Sequence, residues 1–429
     1  MTPTANVPIL AKFCQDLDVT ITPLIYRPVA TIKASNVRRE GWPATASRPV
    51  TGVPLTTSLA AGSGSAAGTY GATYELFTTL TSSTASPSSS PTSSSSPTSS
   101  SSPSSTPSPT PTPASAFSAV KQFTVTLPPP TVGGNFFPDS IAVGPDGNLW
   151  FTMSTGEIGR ITPAGVLTTF AAGITGNALP TGITAGPDGN LWFTEALTSR
   201  IGRITPTGTI TEFSSGITSN GGTTSNLGGI TAGPDGNLWF AEGGVNRIGR
   251  ITPTGTVTEF SAGSSTGAIP SSITAGPDGN LWFTEPGTDH IGRITPGGTV
   301  TEFSATSFSG SAISGITTGP DGNLWFTEAF SYRIGRMTPS GTVTEFSTGL
   351  SSGPGAIVAG PDGNLWFTEG AYVTQTGGPT NRVGRITPSG TITEFTTGVS
   401  DLLPDLVWGP DGNLWCTMGS INGILRLTP

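Results

Sequence analysis

The sequence predicts an all-β fold, a seven-bladed β-propeller of four-stranded blades, and three observations carry that expectation. The block Gly-Pro-Asp-Gly-Asn-Leu-Trp occurs seven times, with its tryptophans at Trp150, Trp192, Trp239, Trp282, Trp325, Trp366 and Trp415. Their spacings of 42, 47, 43, 43, 41 and 49 residues match a propeller repeat. The 60 glycines and 39 prolines favour many turns over long helices.

Each repeat resolves into four short strands. One unit reads Gly182-Ile183-Thr184-Ala185, a Pro-Asp-Gly-Asn turn, then Leu191-Trp192-Phe193-Thr194-Glu195 and a loop. It continues with Ile201-Gly202-Arg203-Ile204-Thr205, a Pro-Thr-Gly turn, and Thr209-Ile210-Thr211-Glu212-Phe213. Gly-containing hairpin turns join the first two and the last two strands. We name the strands A to D from the centre outward. The seventh unit ends at Pro429 before its outer strand, while Val120-Lys121-Gln122-Phe123 stands alone before the first unit. This N-terminal strand is therefore expected to complete the last blade and cover its edge.

The repeats also point to one working face. The step from the strand-A Ile (or Leu406) to the Trp is 9 in all seven units. The step from the strand-C Ile or Val to the closing Phe is 12 in six. All length variation falls in the B–C and D–A joints, which share one end of the sheet, where loops carry function on a rigid scaffold. The longest excursions lie around 127–140, 214–229 and 370–382.

Before the propeller stand two further segments. Residues 1–80 are poorly patterned, with strand-like alternation at Val19–Thr22 and Val29–Ile32, and are read as a small β module or a disordered segment. Residues 81–116 contain only Ser, Thr, Pro and Ala and are expected to be a disordered, extended linker. Such a tract suggests an extracellular or cell-surface setting, although the first 25 residues lack a recognisable signal peptide. No apolar run is long enough to span a membrane. A net charge of −8 argues against nucleic acid as a partner. One histidine and two cysteines exclude a Cys/His metal cluster and a disulfide framework.

Most charged side chains in 117–429 occupy repeat slots. The Ile-Gly-Arg arginines are expected to bridge blades to the Thr-Glu-Phe glutamates. His290 fills a slot held elsewhere by Arg200, Arg247 and Arg333, and Cys416 replaces a repeat Phe and should be buried and inert. Glu195, Glu242, Glu285, Glu328 and Glu369 end strand B and lead toward the variable face. Asp139, Glu157, Asp401 and Asp405 are unrepeated and fall in blades one and seven, neighbours once the ring closes. Four carboxylates at one seam are a candidate site for magnesium, calcium or a cationic ligand, against the plainer reading of a solvated rim. With Phe136, Phe137, Phe330, Tyr332 and Tyr372 they form a candidate ligand-binding face for a small molecule, a peptide or a glycan. The chain is expected to be a monomer.

The blocks Gly-Ile-Thr-Ala-Gly-Pro-Asp-Gly-Asn-Leu-Trp-Phe-Thr-Glu and Arg-Ile-Gly-Arg-Ile-Thr-Pro-x-Gly-x-x-Thr-Glu-Phe resemble the virginiamycin B lyase, or streptogramin lyase, family over residues 117–429. The resemblance implies a seven-bladed propeller and a magnesium-dependent lyase that opens the antibiotic's ester ring by elimination, conferring antibiotic resistance. That chemistry needs a base for an α-proton and an acid or metal for the leaving carboxylate. The resemblance places the family's His and Glu groups on the variable face of the last two blades. The matching positions here are Gly355, Leu403, Asp405 and Gly419, so only Asp405 is an ionisable candidate for catalysis. Three readings stay open: a non-catalytic surface or secreted binding module, a streptogramin lyase with a rebuilt site, and a metal-dependent lactonase-type hydrolase.

Overall fold

The computed structural model describes residues 18–24, 27–33, 115–124, 137–218, 226–306, 310–370, 382–419 and 422–429. The chain divides into two units, 1–104 and 105–429. In the first, Asp18–Leu24 and Arg27–Lys33 pair as an antiparallel ladder with Thr20 opposite Thr31.

The second unit holds seven sheets. Blade 1 comprises strands Pro138–Val143, Leu149–Met153, Glu157–Ile161 and Leu167–Phe170. In blades 2 to 6, strand A is Pro180–Ala185, Leu227–Ala232, Ile273–Ala275, Ile313–Thr318 and Pro354–Ala359 in turn. Hydrogen bonding runs A-B-C-D across every blade. Each strand A packs against the next, and that of blade 7, Leu406–Trp408, packs against that of blade 1. The A strands thus line the axis, and the ring is closed.

Closure follows the expected route. Strand Ala119–Thr124 pairs antiparallel with Gly423–Thr428, placing Phe123 opposite Ile424. The Phe123 ring stacks on Trp415 at 5.4 Å, as Phe170 stacks on Trp150 within blade 1. A second clasp was not foreseen. Ser115–Ala116 adds in parallel to the outer strand of blade 6. Phe117 then packs on Phe395 and Trp366, and Ser118 bonds the Thr428 carbonyl through its N–H and its hydroxyl. The N-terminal segment therefore fastens two blades.

The repeated block is explained by a buried tryptophan. All seven tryptophans of the block have essentially no exposure, so each indole N–H needs a partner inside the protein. The turn Asp supplies it: Nε1 donates to Asp146, Asp188, Asp235, Asp278, Asp321, Asp362 and Asp411 at 2.9–3.2 Å. The same carboxylates accept from the turn Asn side chain and backbone. Burial disfavours their charge, but these bonds outweigh it and hold the turn carboxyls below the usual carboxylate range.

The arginine expectation is corrected here. The Ile-Gly-Arg arginines do bridge blades, but not to the Thr-Glu-Phe glutamates. Their guanidiniums lie over the Trp of their own blade at 5.4–5.7 Å. In six blades they donate to a proline carbonyl of the next blade; Arg160 reaches Pro206 at 3.0 Å, and Arg426 reaches Pro163 at 3.1 Å across the closing seam. The reason is the period of a strand. Arg203 stands opposite Trp192 and Thr211, whereas Glu212 stands opposite Gly202 and so projects from the other face.

A second ring of contacts surrounds the axis. In blades 1, 2, 4, 5 and 7 the strand-B threonine hydroxyl accepts an N–H of its own strand A and donates to a carbonyl entering the next one. Thr152 accepts from Ser140 and donates to Thr181, and Thr417 accepts from Asp405 and donates to the carbonyl of Asp139.

Blade 7 contains a paired exchange. In the other blades the strand-B Phe lies opposite a strand-C Gly, as Phe193 opposite Gly202, where any Cβ would overlap the ring. Blade 7 has Cys416 opposite Leu425 instead, both buried. Burial and the neighbouring Asp405 raise the Cys416 thiol above its ordinary range, so it is inert, as expected. The exchange conserves volume, so Cys416→Phe should destabilise the fold by about 1–3 kcal/mol by overpacking. Adding Leu425→Gly should recover most of that loss, read from urea unfolding midpoints. The closing strand makes a separate prediction: Phe123→Ala is expected to cost about 3 kcal/mol, and a loss below about 1 kcal/mol in the same assay would contradict its role in closure.

Candidate functional site

The inner strands share an irregularity that shapes the variable face. In blades 1, 2, 3, 5 and 6 strand A carries one extra residue against strand B. In blade 1, Pro138 pairs with Met153 and Ile141 with Phe151, so Asp139 and Ser140 together face Thr152. Such bulges redirect side chains and recur beside functional sites. In blade 6 the bulge holds Gly355 and Ala356.

This geometry brings two of the candidate carboxylates together. Asp405 precedes strand A of blade 7 and crosses the seam to blade 1. Its Oδ2 accepts from Ser140 Oγ at 2.9 Å and from the Ile141 N–H at 3.0 Å, and its Oδ1 accepts from the Leu406 N–H at 2.8 Å. Both aspartates show limited surface to solvent. Burial pushes Asp405 up to about 6 despite those bonds. Burial and the charge of Asp405 push Asp139 up to about 7. The pair can hold a proton near neutrality.

The other candidates do not join them. Glu157 opens strand C of blade 1, two strand spacings or about 10 Å from strand A; burial raises its carboxyl, and its Oε2 has no hydrogen-bond partner among the described residues. Asp401 is buried in the loop between blades 6 and 7. Among the described residues no three His, Cys, Asp or Glu side chains come together as a metal set. The set Asp139, Glu157, Asp401 and Asp405 is therefore not assembled as one ligand shell. Of the aromatic residues, Phe137 is half-buried and exchanges hydrogen bonds with Ser154. Phe330 and Tyr332 are exposed at the B–C loop of blade 5, with Tyr332 at a φ of 54°. Phe136 and Tyr372 lie outside the described residues, as do parts of the longest loops.

Sequence reasoning missed a repeated cluster on the same face. The strand-B glutamates are fully buried, and each lies beside the strand-D glutamate of its own blade: Glu195 with Glu212, Glu242 with Glu259, Glu285 with Glu302, Glu328 with Glu345, Glu369 with Glu394. Arg247, Arg333 and Arg382 pair with the strand-D member at 2.7–2.8 Å, and Arg200 does so at 3.5 Å. The signal was present in the sequence: blades 1 and 7 replace the strand-B Glu by Met153 and Met418 and the strand-D Glu by Thr169 and Gln122.

With this geometry in view, the comparisons decide the family. The sequence profile of the virginiamycin B lyase family matches residues 138–373 and 305–429. The chain belongs to the virginiamycin B lyase family. It is 35% identical to selenomethionine-substituted virginiamycin B lyase from Staphylococcus aureus, with a TM-score of 0.63, covering 72% of this chain and 99% of the other. A catalytically inactive His-to-Ala variant of the Staphylococcus aureus lyase, solved with quinupristin, is 36% identical with a TM-score of 0.62, covering 72% of this chain and all of that one. A streptogramin B lyase structure is 32% identical, with a TM-score of 0.63, covering 72% of this chain and 98% of the other. No curated protein matches the chain.

Within this lyase-family fold, the positions that the resemblance marked are filled structurally. Leu403 is buried in the core of the last seam. Gly355 gives its carbonyl to Thr327 Oγ1 at 2.6 Å. At Gly419 a Cβ would lie 2.9 Å from Pro404 Cγ and 3.3 Å from Leu402 Cβ, so this backbone has no room for a Glu. The only histidine, His290, pairs in register with Glu285 in blade 4. The family's magnesium does not fit these residues: one carboxylate, Asp405, stands at the four positions, and both of its oxygens are engaged. Among the described residues no helix is long and apolar enough to cross a membrane.

The aspartate pair makes a direct prediction. Asp405→Asn should lower the titration of Asp139 from about 7, read from its carboxyl carbon signal by NMR. An unmoved Asp139 would mean that the two carboxyls are independent.

Proposed function

We propose that this member of the virginiamycin B lyase family is an extracellular or cell-surface binding module that takes a ligand on its variable-loop face and does not perform the elimination. The observation that carries the reading is the filling of the four family positions by Gly355, Leu403, Asp405 and Gly419, with Pro404 packed where a side chain at 419 would go. The Staphylococcus aureus relative is catalytically inactive when one histidine becomes alanine. Here the only imidazole stands in blade 4, paired with a strand-B glutamate. The same face offers exposed Phe330 and Tyr332 and the Asp139–Asp405 pair, a mixture suited to a small molecule, peptide or glycan with an apolar face and a donor or cationic group. The Ser/Thr/Pro tract supports a setting outside the cell.

A second reading has one observation in its favour. Asp139 and Asp405 both titrate near neutrality, as a general base must, and Asp405 stands at a family position. A lyase with a rebuilt site would use that pair.

One incubation separates the two readings. Quinupristin with the full chain and magnesium is expected to remain intact by chromatography and mass spectrometry. Because elimination conserves mass, a ring-opened isomer would appear as a shifted peak of the same mass. That peak, lost in Asp405→Asn, would establish the lyase and overturn the binding-only reading. Retained signals on a glycan or peptide array that fall at least about tenfold in Phe330→Ala/Tyr332→Ala would support binding through this face.

A further inference from the structure

Five blades set a buried strand-B carboxyl beside a strand-D carboxyl, in four of them with one guanidinium and in blade 4 with His290 in its place. Glu195, Glu242, Glu285, Glu328 and Glu369 are at most 1% exposed, yet Glu195, Glu328 and Glu369 each leave one carboxyl oxygen, and Glu242 and Glu285 both, without a hydrogen-bond partner among the described residues. The groups facing each are few. Glu195 meets Thr198, Arg200 and Glu212. Glu242 meets Arg247 and Glu259. Glu285 meets Glu302 and, in register, His290, with Asp289 next along the chain. Glu328 meets Ser311, Ser331, Arg333 and Glu345. Glu369 meets Ser352, Arg382 and Glu394. With one guanidinium per two carboxylates, four of these clusters carry a net −1 around a fully buried strand-B carboxyl, unless one carboxyl keeps its proton. A single proton makes such a cluster neutral and lets one carboxyl donate to the other.

Four of the strand-D partners are also loop anchors. Glu212 accepts the N–H and hydroxyl of Thr175, and Glu259 those of Thr218. Glu302 accepts from Ser264 and Ser265, and Glu394 from Ser351. Each of these Ser and Thr residues lies on the D–A loop entering the blade. Where blades 1 and 7 lack the strand-D carboxylate, they also lack the strand-B one, with Met153 and Met418 in its place. The two carboxyls therefore come and go together.

We propose that each of these five pairs shares one proton at neutral pH and that together they form an alkali-sensitive clamp on the variable-loop face. The proton stays on the cluster when a strand-B Glu is protonated; its loss puts two negative charges side by side under the loop anchor. The direction of the titrations agrees. Burial, with the neighbouring strand-D charge, raises Glu195 to about 7, Glu242 and Glu285 to about 8 and Glu369 to about 9, and raises Glu328 as well. Because the folded state binds these protons more tightly than the unfolded chain, the stabilisation is full in acid and is lost as pH rises through the folded values. The seven turn aspartates have the opposite sign and matter only in acid, below the ordinary carboxylate range.

The test is thermal unfolding of the full chain between pH 5 and pH 9.5, beside infrared spectra of the wild type. The melting temperature should fall by more than about 10 °C between pH 6.5 and 9.5. A variant with Glu195, Glu242, Glu285, Glu328 and Glu369 all changed to Gln, the neutral mimic, should lose less than about half of that. An equal fall in the variant, or no fall in the wild type, overturns the clamp. Should the variant not fold, the wild-type spectrum still decides. At pH 7 it should show a protonated-carboxyl carbonyl band that shifts in deuterium oxide, persists in Asp139→Asn and loses most of its intensity by pH 9.5. Absence of that band at pH 7 overturns the proposal.

Discussion

A buried indole N–H must be bonded, and this propeller buries seven of them. That constraint organises the rest. The Asp that meets the indole must come from the turn four residues back, so the A–B hairpin cannot change length. Gly144 and its equivalents must lack a Cβ, because one would strike the indole ring and the Asp side chain. The arginine that covers the indole faces the same side, 3.7–3.9 Å from the turn Asp in five blades. From there it reaches the next blade's proline carbonyl. One hydrogen-bonding requirement thus fixes the block Gly-Pro-Asp-Gly-Asn-Leu-Trp, the Ile-Gly-Arg slot and the contact between blades. The individual cation–π and ion-pair contributions are modest, but a closed ring repeats them in nearly every blade.

The opposite end of each blade is under no such requirement, and there the blades differ. Bulged inner strands carry Asp139 and Ser140 in one blade and Gly355 and Ala356 in another, while the strand-B threonines keep the backbones joined. Length and chemistry can vary on this face because the turn-side knot already holds the blade. A lyase and a chain with Gly355 and Gly419 can share a fold because neither position contributes to the indole knot.

What was legible in the sequence follows this division. Fixed steps of 9 and 12 residues reflect hairpins with obligatory partners, so blade number, strand order and closure by Val120–Phe123 were readable. Parity along a strand was readable too, yet it was not applied to the arginines. Arg203 and Glu212 looked like ion partners by charge, although strand alternation places them on opposite faces. The electrostatic coupling of Asp139 to Asp405 could be anticipated only as proximity across a seam, because the bulge at Asp139 leaves no periodic mark. Glu157 looked equivalent to the aspartates by being unrepeated, but irregularity in sequence does not measure distance from the axis. The parallel clasp at Ser115–Ala116 had no signal, since its residues merge with a Ser/Thr/Pro tract.

The charged residues show how a chain with 10% charge uses them. The turn Asp and the stacked Arg are ionised and satisfied, and their bonds keep the Asp charged despite burial. The strand-B Glu is buried with fewer partners, and in five blades at least one of its oxygens lacks a donor among the described residues. Both are repeat-slot carboxylates of equal frequency within their blades, so composition treats them alike. The environment separates them: indole and amide donors stabilise the anion in the first case, and burial, then an adjacent carboxylate, destabilises it in the second. The single histidine belongs to this second set. In blade 4 it takes the place of a guanidinium, in register with Glu285.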